Sequence, residues 1–331
     1  FKKTPMPVIS YPNLPSLERL KSSGLVLDRE PSEKQLYSKE LHIGLLNLMP
    51  DAAFQATERQ FVSMLSSNNE FLIHLYPTSV ATENRSERFK SYIRENYNDI
   101  KEFQQRKYDG LIISGANPSQ QDMTQEHFWN PLIEVFEWAE SNASSVLCSC
   151  LATHAIMKAK YGIERQMRDE KAWGIFQHQL AEEGHQLIRG LENNFDGPHS
   201  HYYDFPIKAI ESTDLKVLAS NDFAGLYLAS SEEGKLVLFQ GHPEYSKNSL
   251  LKEFQREINN FVSGKRDDYP SLPNNYFSDS KIKELNEIKQ NILSSPKEIS
   301  LSDEIISDID SNWQSSGEVI YNNWLESLTK I

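Results

Sequence analysis

Four short apolar runs limit what this chain can fold into, because each is followed by a polar segment long enough for a helix. LHIGLLNLMP (residues 41–50), FLIHLYP (71–77), YDGLIISGANP (108–118) and SSVLCSC (144–150) read as buried strands. TERQFVSMLSS (57–67), the charged stretch 86–107 and NPLIEVFEWAESN (130–142) read as helices. Thr57 is the expected cap of the first, with Gln60 closing a capping box, and Pro131 suits the first turn of the third. A further helix, LATHAIMKAKYG, starts directly after Cys150. Strands alternating with helices need crossover connections. The expected fold class is therefore α/β, a mostly parallel open sheet with helices on both faces.

The flanks differ in texture. Residues 1–40 hold five prolines and read as an irregular N-terminal arm with one short helix near 14–22. Residues 41–264 carry the alternating pattern, continued by DLKVLAS, GLYLASS and KLVLFQGHPEY as strands and by SLLKEFQREINNFVSG (249–264) as a helix. Residues 265–331 are charged and rich in Ser and Asn, and are expected to pack on the domain or on a partner subunit. GEVIYNNWLESLTKI reads as a docking helix. No internal repeat is evident.

Charge narrows the partners. Lys and Arg number 34 against 47 Asp and Glu, a formal net charge of −13. An acidic surface repels phosphate backbones, so nucleic acid is not an expected partner. An anionic small molecule in a local basic pocket is still compatible. The two cysteines, Cys148 and Cys150, are one residue apart and point to opposite faces of a strand, so they do not pair. No disulfide framework and no cysteine zinc site follow, which favours a reducing compartment and a cytoplasmic location. No apolar run approaches the ~18 residues of a membrane span, and the N-terminus lacks the apolar core of a signal peptide. The chain opens on Phe1, so a few preceding residues are expected.

Reactive groups collect at the C-terminal ends of the expected parallel strands, the edge where open α/β sheets bind ligands. Cys150 sits on a strand-to-helix turn. There the helix dipole favours a thiolate, and the N–H of Leu151 is free to serve an oxyanion hole. Position alone leaves open that both cysteines are buried strand residues. In GHPEY (241–245), His242 can take a proton from Cys150 while Glu244 orients the imidazole; a bland surface turn is the competing reading. In SGANP (114–118), a glycine turn lets backbone N–H groups approach a ligand, or is a plain strand end. His199 and His201 have H-x-H spacing but no accompanying ligand set, so no metal is expected. His154, one helical turn past Cys150, reads as a packing residue.

LNLMP, TERQF, DGLIISGA, CLATHA, the following YGI, PHSHYYDFP and GHPEY, in this order, resemble the homoserine O-acyltransferase family, whose fold is that of class I glutamine amidotransferases. The resemblance runs from about Met6 to Phe277 and returns at WQSSGEVIYNNWL. It implies Cys150 as nucleophile, His242 as base and Glu244 as its orienting acid. It further implies Arg256 on the acceptor carboxylate and Glu253 near the acceptor amino group. Lys171 and Ser200 fall at family site positions, Lys171 towards the acyl or CoA end. The implied reaction is ping-pong acyl transfer from acyl-CoA to the hydroxyl of L-homoserine, in methionine biosynthesis. Acyl-CoA is then a co-substrate, no cofactor is tightly bound, and a homodimer is expected.

Departures from the family pattern keep alternatives in play. Ser119 stands at the acyl-selecting position, where the family carries glycine or glutamate; a small neutral residue does not repel a succinyl carboxylate, which slightly favours succinyl over acetyl. Pro118 has no N–H to donate to an oxyanion hole. Leu151 replaces a usual aromatic, and the C-terminal region carries an insertion. The alternatives are serine O-acetyltransferase-type activity, a glutaminase-like amide hydrolase, and a non-catalytic binding protein on the same scaffold.

Overall fold

The computed structural model describes residues 8–28, 37–68, 70–181 and 184–330. Its strands are β1 (Val8–Ser10), β2 (Lys39–Leu46), β3 (Phe71–Thr78), β4 (Tyr108–Ile113), β5 (Ala143–Ser149), β6 (Gln166–Leu180), β7 (Asn194–Asp204), β8 (Leu215–Asn221), β9 (Gly225–Ser231) and β10 (Leu236–Phe239). The α-helices are α1 (Glu18–Ser22), α2 (Asp51–Leu65), α3 (Glu87–Asn96), α4 (Ile100–Phe103), α5 (Trp129–Asn142), α6 (Leu151–Tyr161), α7 (Ile207–Ile210), α8 (Ser249–Val262), α9 (Asp279–Ser294) and α10 (Trp313–Ser327).

All ten strands form one sheet in the order β1-β3-β2-β4-β5-β10-β9-β8-β6-β7. From β1 to β10 every neighbouring pair is parallel. Beyond β10 the pairs are antiparallel. The chain is thus α/β with a parallel core, as its alternating pattern requires. The antiparallel half was only partly legible: β6 and β7 do not stand out because the first half of β6, QMRDEK, is charged and lacks period-two alternation. A bulge between Met167 and Ala172 marks where that irregular half ends.

Element ends follow local chemistry. Pro50, extended at φ −64° and ψ 161°, is the N-cap of α2, and Asp51 opens its first turn. Thr57 is therefore not a cap but an interior residue whose Oγ1 donates to the Ala53 carbonyl. The stretch 86–107 breaks in two at extended Tyr97, and Asp99 caps α4 by accepting from the Lys101 N–H. Gly162 in the left-handed conformation ends α6.

Two apolar layers cover the sheet. Leu41, Ile43 and Leu45 of β2 join Phe61 and Leu65 of α2 and Ile320 and Trp324 of α10 on one face. Leu46, Leu111 and Ile113 join Leu132 and Phe136 of α5 and Ile156 of α6 on the other. A third cluster unites α8 with the C-terminal extension through Phe254, Ile258, Leu285, Ile292 and Trp313. Trp324 is fully buried, and its Nε1 donates to Ser145 Oγ at 2.8 Å. It packs so closely on β4 that a Cβ at Gly110 would lie 2.7 Å from its ring.

Trp324→Ala empties that space and removes one donor to Ser145, whose hydroxyl still donates to the Gly234 carbonyl, so unfolding free energy should fall by about 3–5 kcal/mol. Urea titration measures it. A loss below about 1 kcal/mol would mean that α10 is not part of the core.

Candidate active site

Sheet order brings the three chemically loaded loops together. β4, β5 and β10 are parallel neighbours, with Phe239 opposite Ser149 and Ile113 opposite Cys148. The SGANP turn, Cys150 and GHPEY thus emerge side by side at one sheet edge.

Cys150 occupies φ 50° and ψ −106°, a conformation rare for a residue with a side chain. Its N–H donates to the Phe239 carbonyl at 2.7 Å. Thr153 Oγ1 reaches the same carbonyl at 2.7 Å and the Cys148 carbonyl at 3.2 Å. These bonds hold the sharp turn that lifts the thiol out of the strand. Cys148, two residues back, is fully buried, and burial pushes its thiol up, away from the reactive range.

GHPEY closes over this elbow. The His242 N–H donates to the Pro198 carbonyl at 2.9 Å, which ties the loop to β7. His242 Nδ1 donates to Glu244 Oε1 at 2.8 Å, which leaves Nε2 free of that bond, and Cys150 is close enough to act on the imidazole electrostatically. Burial alone would lower the His242 pKa, but the adjacent Glu244 and Cys150 win and hold it well above the ordinary histidine value. Ser149 Oγ adds a long 3.4 Å contact to Glu244. The Cys150 thiol, the His242 imidazole and the Glu244 carboxylate are therefore gathered at one sheet edge, a set of groups that nucleophilic catalysis can use.

A second carboxylate lies beside the first. Glu253, on α8, accepts from Tyr245 Oη at 2.6 Å through Oε1, and from Ser200 Oγ at 2.6 Å and Trp173 Nε1 at 2.9 Å through Oε2. Trp173 and Ser200 are cross-strand partners in β6 and β7, so one sheet face presents both donors. Lys171 Nζ stands 3.9 Å from Glu253 Oε2 and 4.2 Å above the Trp173 ring. Burial lowers its pKa, against the pull of Glu253. Arg256, one turn after Glu253, stays half-exposed with its Nε 3.3 Å from Glu257 Oε1. Lys171, Ser200 and Glu253 are thus brought together, with Arg256 on the same helix.

The SGANP loop divides. A Cβ at Gly115 would lie 3.5 Å from Cys150 Cβ and 3.6 Å from Met49 Sδ, so Gly115 flanks Cys150. Ser119 points elsewhere: its N–H and that of Gln120 both donate to Glu126 Oε1, and its Oγ donates to Glu126 Oε2. Leu151 is buried as the first residue of α6, and its N–H is among those at the helix start with no intrahelical partner. Among the described residues, no group of three or more His, Cys, Asp or Glu side chains is arranged to hold a metal ion. No described helix is long and apolar enough to cross a membrane.

The family model for homoserine O-succinyltransferase (HTS) matches residues 7–330. The chain belongs to the homoserine O-succinyltransferase family. A homoserine O-succinyltransferase of Methylobacter tundripaludum is 40% identical over 334 residues, covering 98% of this chain and 94% of that protein. One from Thioalkalivibrio nitratireducens is 40% identical over 333 residues, covering 98% and 93%. Among solved structures, a glutamine amidotransferase from Thermotoga maritima covers 88% of this chain and 99% of its own, at 10% identity and a TM-score of 0.49; the assignment rests on the sequence relatives. Membership places the chain among transferases of methionine biosynthesis.

Two residues beside this family member's site, Tyr245 and Trp173, were not given roles from sequence. Tyr245 ends GHPEY and Trp173 follows Lys171 by two residues, but neither carries a head that ionises near neutral pH, the signal that marks chemistry in a sequence. Behind the site runs a buried histidine chain. His201 Nδ1 meets the Tyr203 carbonyl at 2.8 Å, His199 Nδ1 meets His201 Nε2 at 2.9 Å, and His178 Nε2 meets His199 Nε2 at 2.8 Å. A carbonyl only accepts, so His201 Nδ1 carries a proton. The tautomers then follow along the chain: His199 donates through Nδ1 and His178 through Nε2. The paired H-x-H nitrogens hold each other. His154 is buried edge-on to Phe205, with no well-aligned hydrogen bond on either ring nitrogen.

Burial drives the pKa of His154 and His178 down to about 3, and lowers His199 and His201 as well. Their folded values lie below the unfolded value of about 6.5, so the native state refuses protons that the unfolded chain accepts. The stability these groups permit is full above that pH and is lost as pH falls towards their folded values; raised His242 works in the opposite sense. His154→Leu removes one refusing group. Between pH 6 and 4 its stability should fall less steeply than wild type, by about one proton's worth of slope. Urea midpoints across that range test it, and parallel slopes would show that His154 is not held neutral.

Proposed function

We propose that this protein transfers a succinyl group from succinyl-CoA to the hydroxyl of L-homoserine through a thioester on Cys150. The observation that carries the reading is the Cys150–His242–Glu244 series on a strained strand-to-helix turn. In the first half-reaction the thiol proton is held on His242, which Glu244 and Cys150 favour in its charged form, and Cys150 Sγ attacks the thioester carbonyl. Negative charge develops on the carbonyl oxygen, where the N–H of Leu151 and the backbone beside Gly115 are suited to receive it. The bond to CoA sulfur then breaks, CoA leaves with the proton from His242, and the succinyl group remains on Cys150. In the second, His242 Nε2 takes the homoserine hydroxyl proton and the oxygen attacks the acyl-Cys150 carbonyl. Cys150 leaves as thiolate, paired with protonated His242.

Binding roles follow from charge. Glu253 is a carboxylate held by three neutral donors and suits the acceptor ammonium group. Arg256, one helical turn on, suits its carboxylate. Lys171 suits the anionic succinyl or CoA end. Ser119 is small and neutral, and its hydroxyl is turned to Glu126, which leaves the donor free of steric exclusion on that side. Succinyl is also the group named in the relatives.

Intact mass after mixing with succinyl-CoA, without acceptor, should rise by one succinyl group mapped to Cys150 and return on adding homoserine. Cys150→Ala should abolish the adduct and cut turnover by roughly 10⁴-fold or more, with an unchanged melting temperature. Turnover retained in that variant would refute the covalent route. Arg256→Ala should raise the homoserine KM by roughly 10–100-fold, the loss of one charged pair, while the rate of Cys150 acylation stays put. Normal acceptor saturation would remove Arg256 from the site.

A further inference from the structure

Tyr245 joins two parts of the site that the chemistry uses in different steps. Its ring lies flat against the His242 imidazole, with centroids 4.2 Å apart and planes inclined by 20°. Its hydroxyl donates to Glu253 Oε1 at 2.6 Å. Its main chain is fixed as well: the N–H donates to the His242 carbonyl at 3.1 Å, and the carbonyl accepts from Trp313 Nε1 at 2.8 Å. The ring therefore has little freedom to move without disturbing the base, α8 or α10.

We propose that Tyr245 is a positioning residue with two separable functions: its ring fixes the plane of the His242 base, and its hydroxyl locks Glu253 in register with that base. The proposal rests on the acyl-transfer reading above. The Glu244 bond fixes one ring atom of His242 but leaves rotation about that contact. A flat aromatic surface on one side removes it and directs Nε2 at Cys150. The same surface favours imidazolium over imidazole, because a ring face attracts a cation, and each half-reaction passes through imidazolium. The hydroxyl has the complementary task. Glu253 takes two donors on Oε2 and Tyr245 alone on Oε1. Removing that hydroxyl frees one carboxylate oxygen to turn away from the base. Desolvation, with the Glu253 carboxylate beside it, holds the hydroxyl well above the ordinary tyrosine pKa, so it stays a donor. The acceptor hydroxyl would then be registered against Nε2 through a continuous path, from Glu253 to Tyr245 to His242.

The two functions separate by substitution. Tyr245→Phe keeps the ring and removes the hydroxyl. Its Cys150 succinylation rate, read by quenched-flow mass measurement, should stay within about twofold of wild type, while kcat/KM for homoserine falls roughly tenfold, mainly through KM. Tyr245→Leu also removes the ring. Succinylation should slow by roughly tenfold or more and its pH profile should shift, because His242 loses its stacked face; Phe restores both. Melting temperatures near wild type for the Phe variant keep the comparison clean. Equal slowing of both half-reactions in Tyr245→Phe, or wild-type succinylation in Tyr245→Leu, would overturn the proposal. If wild type itself gains no succinyl group on Cys150, the acyl-transfer reading falls first; a normal wild-type adduct with unaltered variants removes Tyr245 alone.

Discussion

The site depends on one backbone constraint, the positive φ of Cys150 at the junction of β5 and α6. A side chain in that region costs on the order of 1–3 kcal/mol unless its surroundings enforce it. Here they do. The Phe239 carbonyl receives both the Cys150 N–H and the Thr153 hydroxyl, so the last residue of β10 anchors the turn that follows β5. The same strand runs directly into His242. Cys150 and His242 are therefore referred to one carbonyl, and the parallel register of β5 and β10 becomes the ruler for their separation.

A tail remote in sequence steadies that ruler. Gly317 of α10 lies so close to the loop that a Cβ there would come within 2.9 Å of Pro243 Cβ and 3.0 Å of its carbonyl oxygen. Trp313 bonds the Tyr245 carbonyl. Trp324 bonds Ser145 on β5. One helix thus touches the strand that leads to Cys150 and the loop that carries His242, which is how a scaffold holds a site's geometry through packing rather than through the site's own groups alone.

That division explains what was legible in the sequence. The parallel half of the sheet could be read from apolar runs such as YDGLII and SSVLC, because strands buried on both faces are continuous in hydrophobicity. The elbow was legible because a strand and a helix abut at Cys150 with no linker. β6 and β7 were not, since QMRDEK and PHSHYYD carry polar residues that serve as charge and hydrogen-bond partners rather than as core. Thr57 looked like a cap because its spacing to Gln60 fits a capping box, but Pro50 and Asp51 start the helix two turns earlier. Tyr245 escaped because its contribution is a surface and a direction, properties that emerge only when α8 and GHPEY meet. Ser119 illustrates the limit of position alone: its hydroxyl and N–H are spent on Glu126, seven residues on in the same loop.

Electrostatics inside the pocket then differ from those of the whole chain. A net charge of −13 opposes the approach of an anionic thioester at long range, but that field is screened beyond about 8 Å at physiological ionic strength. Within that distance the local charges decide. Glu253 is held by neutral donors, with Lys171 at the margin of contact, so its charge is oriented without being cancelled. Glu244 is spent on His242. Glu253 and Arg256 sit three residues apart on one helix, the spacing at which side chains of opposite sign face the same way. A zwitterionic amino acid carries one charge of each sign. Under the proposed function, one helical turn of α8 therefore reads the acceptor's charge pattern. On the same proposal the stacked Tyr245 would link that acceptor site to His242, since its ring lies on the imidazole and its hydroxyl donates to Glu253.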